Sequence, residues 1–195
     1  EINLKKKELI GKTLYNGETF KYSSNVYLIL AGMNEDSSYT EKLIEKAKDK
    51  NVNLKFINNI VDHSRTYRAN EKVYSLWDIY TEADIVTYPS LLEGWGNQFL
   101  EAVFAKIPVL VYEYPVFEKD LLKMNFNVLS LGNSHNIDCN KLAYVDKSII
   151  STKVDETFRL LLDSEYRKEY VESNFSIAKE NYSYESLEKI LKILL

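Results

Sequence analysis

The 195-residue chain is poor in the residues that usually announce a specialised chemistry. It has one cysteine, Cys139, which excludes an internal disulfide and fits a reducing, cytoplasmic compartment. Its two histidines, His63 and His135, lie far apart, and no Asp-x-Asp pair occurs, so neither a transition-metal site nor a carboxylate pair holding magnesium is indicated. No Gly-x-Gly-x-x-Gly, Walker A or Gly-x-Ser-x-Gly pattern is present. The longest apolar runs, Val26 to Ala31 and Ile107 to Tyr112, are far too short to span a bilayer, and no signal peptide is visible. A net charge of -4 lacks the basic surplus of a nucleic-acid binder. Lys5, Lys6 and Lys7 are flanked by glutamates and read as a solvated helix face.

What is present is a core's worth of apolar residues, 45% of the chain, and a regular alternation of elements. Residues 2–15 carry Ile2, Leu9, Ile10 and Leu14 among charges and predict a helix ending near Gly17. Val26 to Ala31 is a continuous apolar run closed by Gly32, the pattern of a central parallel strand. A helix over 39–50 and a strand over 52–57 follow, then a polar segment, 58–72, with His63, Arg65 and Arg68. Val73, Leu76, Trp77 and Tyr80 share one face of a helix over 73–83, and 84–88 is a short strand. Further on come a helix over 97–106, a strand over 108–112, a short helix over 116–123, a strand over 126–131 and a loop over 133–144. Helices over 147–163, 164–181 and 184–194 end the chain, the last with Ser183 as N-cap.

With no hairpin signal, repeat or linker, this order predicts one α/β domain, a Rossmann-like parallel sheet with helices on both faces and a C-terminal helical segment. Ligands of such sheets sit at the carboxyl ends of the strands. Four loops leave such ends: 32–38, 58–72, 88–97 and 112–116. The third carries Glu93-Gly94-Trp95-Gly96-Asn97 into a helix, where unpaired amides and the helix dipole can hold an anion. Glu93 and Glu101 bracket it, and all three prolines, Pro89, Pro108 and Pro115, fall in or just past the surrounding stretch.

The stretch EGWGNQFLEAVFAKIPVLV resembles the Glu-x₇-Glu region of retaining glycosyltransferases of family four, which have the GT-B fold. TYPS upstream matches that family's Pro-Ser pair at Ser90, YSLWDIYTEADIVTYPS resembles the elements before the loop, and the helical tail resembles its C-terminal region. The likeness covers most of 26–195 and is most specific from Glu93 to Pro108. It implies that Glu101 accepts hydrogen bonds from the ribose hydroxyls of a UDP- or GDP-linked sugar. Glu93 would sit at the donor sugar and its anomeric carbon as the catalytic residue. The backbone of Gly94, Trp95, Gly96 and Asn97 would meet sugar and diphosphate, and the base would lie against Asn58, Asn59 and Ile60.

Asn97-Gln98 departs from the apolar residues usual there, so Asn97 either caps the helix or touches donor sugar or phosphate; Trp95 replaces the common Phe. The resemblance implies a metal-independent enzyme with no cofactor. The family's diphosphate-binding Arg and Lys would precede residue 1, and Lys5 to Lys7 do not match them. A chain opening on Glu1 therefore reads as the donor-binding half of a longer enzyme, its acceptor held by a missing N-terminal domain. Alternatives are a catalytically degenerate nucleotide-sugar-binding module, another GT-B enzyme such as an epimerase or phosphorylase, and a receiver- or flavodoxin-like domain.

Overall fold

A computed structural model of the chain describes residues 1–32 and 36–194. Its first helix is much shorter than the apolar spacing predicts. Helix α1 spans Ile2–Lys5 and a 3-10 turn continues it over Lys6–Leu9. Gly11 then turns the backbone to a φ of 79°, and Thr13 bridges antiparallel to Thr19. The amphipathic pattern still does its packing: Leu9 is buried with Phe20, Val154, Phe158 and Leu161.

Strand β1 (Tyr27–Leu30) pairs in parallel with β2 (Asn53–Phe56). Helix α2 (Ser37–Asp49) connects them, its N-terminus held by the Asp36 carboxylate accepting from the Tyr39 amide at 3.0 Å. Part of the loop expected over 32–38 lies outside the described residues. The reading of β1 as a buried central strand is corrected, because Tyr27, Leu28 and Ile29 are 53%, 38% and 48% exposed. Among the described residues β1 pairs with β2 alone.

The polar segment after β2 is not an open loop. It forms β3 (Val61–Asp62), β4 (Thr66–Arg68) and β5 (Glu71–Ser75), with β4 and β5 a hairpin joined through Ala69 and Asn70 at φ 48° and 68°. Positive φ at both central residues is the geometry of a two-residue hairpin turn that follows strand twist. This overturns the expectation of no hairpin; alanine at the first turn position hides the usual Asn-Gly signature. Val73 consequently belongs to β5, where it is buried. Helix α3 (Leu76–Glu82) starts later than expected, at a reciprocal capping box between Ser75 and Asp78.

The dry part of the molecule follows. Strand β6 (Val86–Tyr88), helix α4 (Asn97–Phe104), strand β7 (Val109–Val111) and strand β8 (Leu129–Ser130) give a parallel sheet of order β6-β7-β8. Phe99, Ala102, Val103, Val109, Val111, Phe117, Leu121 and Phe126 form its core with Ala178. Each large side chain buried this way contributes about 1.5–3 kcal/mol.

The short helix expected over 116–123 is a π-type turn over Phe117–Leu121 followed by a 3-10 turn over Leu122–Met124. The region expected as loop over 133–144 contains a small antiparallel ribbon, β9 (Asn136–Ile137) with β10 (Ala143–Tyr144), and Cys139 is exposed between them.

Helices α5 (Lys147–Leu162), α6 (Ser164–Tyr182) and α7 (Tyr184–Leu194) close the chain near the expected boundaries. Asn174 on α6 mimics a strand. Its side chain accepts from the Asn127 amide at 2.7 Å and donates to the Asn127 carbonyl at 2.8 Å, fixing the approach to β8. No helix among the described residues is long and apolar enough to cross a membrane.

Candidate functional site

The loop between β6 and α4 is shaped from both sides. Pro89 cannot extend the β6 ladder. At the other end Gly96 occupies the N-cap position of α4 with φ 90° and ψ 53°. A Cβ there would lie 2.0 Å from the Tyr114 hydroxyl, so both the backbone twist and the close approach require glycine. Tyr114, fully buried beyond β7, donates its hydroxyl to the Trp95 carbonyl at 3.2 Å. Trp95 meets Tyr182 of α6 edge to face, with ring centroids 5.1 Å apart. No side chain caps α4, so the alternative of Asn97 as cap is corrected: Asn97 is the first helical residue and is exposed, and Gln98 is exposed beside it. Among the described residues the amides of Gly94, Trp95, Gly96 and Asn97 meet no backbone acceptor. Four unpaired donors at the positive end of a helix suit an anion.

Each bracketing carboxylate raises the pKa of a neighbouring tyrosine. The Tyr88 hydroxyl donates to Gln98 Oε1 at 3.3 Å, with the Glu93 carboxylate nearby. Burial first, and then the neighbouring Glu93 carboxylate, push the Tyr88 phenol far above its ordinary range. Burial, helped by the charge of Glu93, pushes Tyr114 up to about 12. On the far side of α4's first turns, Tyr80 of α3 donates to Glu101 Oε2 at 3.0 Å, and burial followed by the Glu101 charge raises its pKa strongly. These phenols stay protonated and act as fixed donors around two half-buried carboxylates. Tyr80, Tyr88 and Tyr114 were not legible as site residues. For Tyr88 and Tyr80 the signal is a tyrosine closing a strand, or one turn into a helix, just ahead of the glutamate loop; Tyr114, past β7, carries none.

Other expected residues stand apart. Ser90 is half-buried in the loop itself. Asn58, Asn59 and Ile60 form an exposed turn after β2, and no hydrogen bond or ring contact links them to residues 88–101 among the described residues. The Ile60 amide is spent on the Ile57 carbonyl (3.0 Å), and its own carbonyl accepts from the Tyr74 amide (2.8 Å).

Three of the cations singled out in the sequence, Arg65, Arg68 and Lys5, are engaged with carboxylates. Arg65 Nε bonds both carboxylate oxygens of Asp78, at 3.0 and 2.9 Å, and holds that carboxyl well below the usual range, with the Ser75 amide assisting. Arg68 pairs with Asp62, and Lys5 with Asp155 at 2.7 Å. His135 Nδ1 lies 2.8 Å from the Tyr112 hydroxyl. Among the described residues no group of three or more His, Cys, Asp or Glu could hold a metal ion.

Parallel β-α units, with a glycine-bearing loop between two carboxylates at the carboxyl end of a strand, define a Rossmann-like half of a GT-B fold. The sequence profile of the family described as glycosyl transferases group 1 matches residues 18–136, and the chain belongs to that family. It is 45% identical over 163 residues to a mannosylglucosylglycerate synthase of Petrotoga mobilis, covering 84% of this chain and 37% of that protein. It is 42% identical over 193 residues to a mannosylglucosylglycerate synthase of Thermotoga maritima, covering 97% and 43%. The chain thus spans less than half the length of these relatives. The crystal structure of WaaG, a glycosyltransferase involved in lipopolysaccharide biosynthesis, superposes with a TM-score of 0.53 over 86% of this chain and 37% of that one, at 18% identity, a likeness of fold alone.

Proposed function

We propose that residues 1–195 are the nucleotide-sugar-binding part of a retaining glycosyltransferase that moves a hexose from a UDP- or GDP-linked donor to an acceptor hydroxyl. The observation that carries this reading is the pairing of uncommitted amides at the start of α4 with a carboxylate on each side of them. The diphosphate meets the amides of Gly94 to Asn97 and the helix dipole, which stabilise charge as the leaving group departs. Glu101 accepts from the ribose hydroxyls; such charge-assisted bonds are worth about 1.5–3 kcal/mol each. Glu93 faces the donor sugar and stabilises positive charge developing at the anomeric carbon.

In this reading the base lies against the turn of Asn58, Asn59 and Ile60. The spent amide of Ile60 leaves the backbone of the two asparagines as the better contact. Gln98, tied to Tyr88, serves the loop's shape more than the donor. No metal or cofactor takes part; the nucleotide sugar is substrate. The relatives' name points to a product in which sugars are joined to glycerate. The acceptor is held by parts of the protein outside this chain, which by itself binds nucleotide weakly and turns over little.

Calorimetric titration of the chain with UDP, GDP and ADP tests the donor site. One nucleotide is preferred, with a millimolar or tighter Kd, and Glu101→Ala weakens it by about tenfold or more. Failure of all three to bind removes the reading's support. In the longer enzyme Glu93→Ala lowers turnover far more than nucleotide affinity, and equal losses in both contradict its place at the sugar.

A further inference from the structure

A carboxylate that accepts from two vicinal hydroxyls must be held at a fixed orientation. Among the described residues, the hydrogen-bond partner of the Glu101 carboxylate is the Tyr80 hydroxyl, 3.0 Å from Oε2. Tyr80 is delivered by an element unusually well fixed for its seven residues. The capping box of Ser75 and Asp78 sets the start of α3, Arg65 forks onto Asp78, and Trp77 packs against Tyr80 with ring centroids 5.7 Å apart. The phenol's strongly raised pKa keeps it a donor throughout the working range.

A carboxylate offers about four lone-pair positions. One fixed donor on Oε2 occupies one of them and orients the carboxylate plane. The remaining positions can take two vicinal hydroxyls side by side.

We infer that Tyr80 is a positioning residue that orients Glu101 toward the paired 2′- and 3′-hydroxyls of a ribose, so that the site prefers ribonucleoside diphosphates to their 2′-deoxy counterparts. The inference rests on the donor-site reading above. The approach to the β4–β5 hairpin then has a role as well: Arg65, just before β4, secures the helix start from which Tyr80 reaches the site.

The test is a matched titration of the 195-residue chain with GDP and 2′-deoxy-GDP, and with UDP and 2′-deoxy-UDP. The unmodified chain favours the ribo form of its nucleotide by about tenfold, the scale of a lost charge-assisted hydrogen bond. Tyr80→Phe, which keeps the ring against Trp77, cuts that preference to about threefold by weakening the ribonucleotide while the deoxynucleotide Kd stays the same. In a Glu101→Asp background, where the carboxylate is already drawn out of reach of the Tyr80 hydroxyl, Tyr80→Phe has no further effect on the ribonucleotide Kd, and an undiminished effect there overturns the positioning role.

If Tyr80→Phe weakens both nucleotides equally, or neither, while Glu101→Ala abolishes the preference, the positioning role is overturned and the donor site stands. If the unmodified chain shows no ribo preference and Glu101→Ala changes nothing, the donor-site reading itself fails, and this inference with it. Thermal melts of the unliganded variants separate either result from unfolding.

Discussion

Strands β1 and β7 are both short apolar runs in parallel pairings, yet Val109 and Val111 are 0% exposed while Tyr27 and Ile29 are 53% and 48% exposed. The difference lies in what is laid across them. One side of the β7 sheet carries Phe99, Val103, Phe117 and Phe126, and Leu110 on the other joins Leu129, Leu160, Tyr170 and Val171. Among the described residues β1 has β2 beside it and contributes no residue to a buried cluster. An apolar run therefore specifies a strand, but burial is specified by the helices the rest of the chain supplies. The candidate site grows from the well-covered sheet, which suits a loop that must hold its shape before a ligand arrives.

The cover over β7 depends most on Phe99. Its fully buried ring meets Phe117 at 5.4 Å and Phe126 at 5.3 Å, both edge to face. Phe99→Ala costs about 3–5 kcal/mol in denaturant unfolding, and a loss below about 1 kcal/mol contradicts the tight packing assigned to this sheet.

Next in size is Gly96→Ala, where a methyl group meets the Tyr114 hydroxyl and the backbone sits at positive φ. It lowers stability by about 1–3 kcal/mol. Tyr114→Phe in the same chain restores part of the loss, since it removes the clashing oxygen, and melting temperatures of the single and double variants read this directly. An absence of coupling between the two places the strain elsewhere.

Smallest is Leu28→Ser in β1, 38% exposed, which lowers stability by about 1 kcal/mol. A penalty like that of Phe99→Ala shows β1 to be as covered in solution as β7, and the contrast collapses.

Much of this was readable in the sequence because it depends on neighbours a few residues apart. The alternation of strands and helices, the Glu93 loop running into a helix, and the boundaries of the last three helices all fall out of local periodicity and punctuation. Ser183 accepts from the Ser186 amide at 3.1 Å, as its place before the last helix predicts. What stayed hidden depends on partners distant in the chain or on atypical turn residues. Ala69-Asn70 makes a hairpin without its usual glycine, and Val73 fits a strand as well as a helix. The hydroxyls of Tyr80 and Tyr114 find Glu101 and the Trp95 carbonyl across 21 and 19 residues. A tyrosine's spacing says that it is amphipathic, not which oxygen it will meet.

The seat of Trp95 on Tyr182 bears on the order in which the protein takes shape as it is made. Synthesis delivers the Glu93 loop some ninety residues before the ring that supports it, and Asn174, which clasps Asn127 beside β8, also comes late. The nascent chain can hold β6, β7 and α4 together early, but the loop's aromatic has no platform until α6 has left the ribosome and docked. A product truncated before Tyr182 keeps both glutamates and the whole loop sequence, yet lacks the surface that sets where Trp95 points.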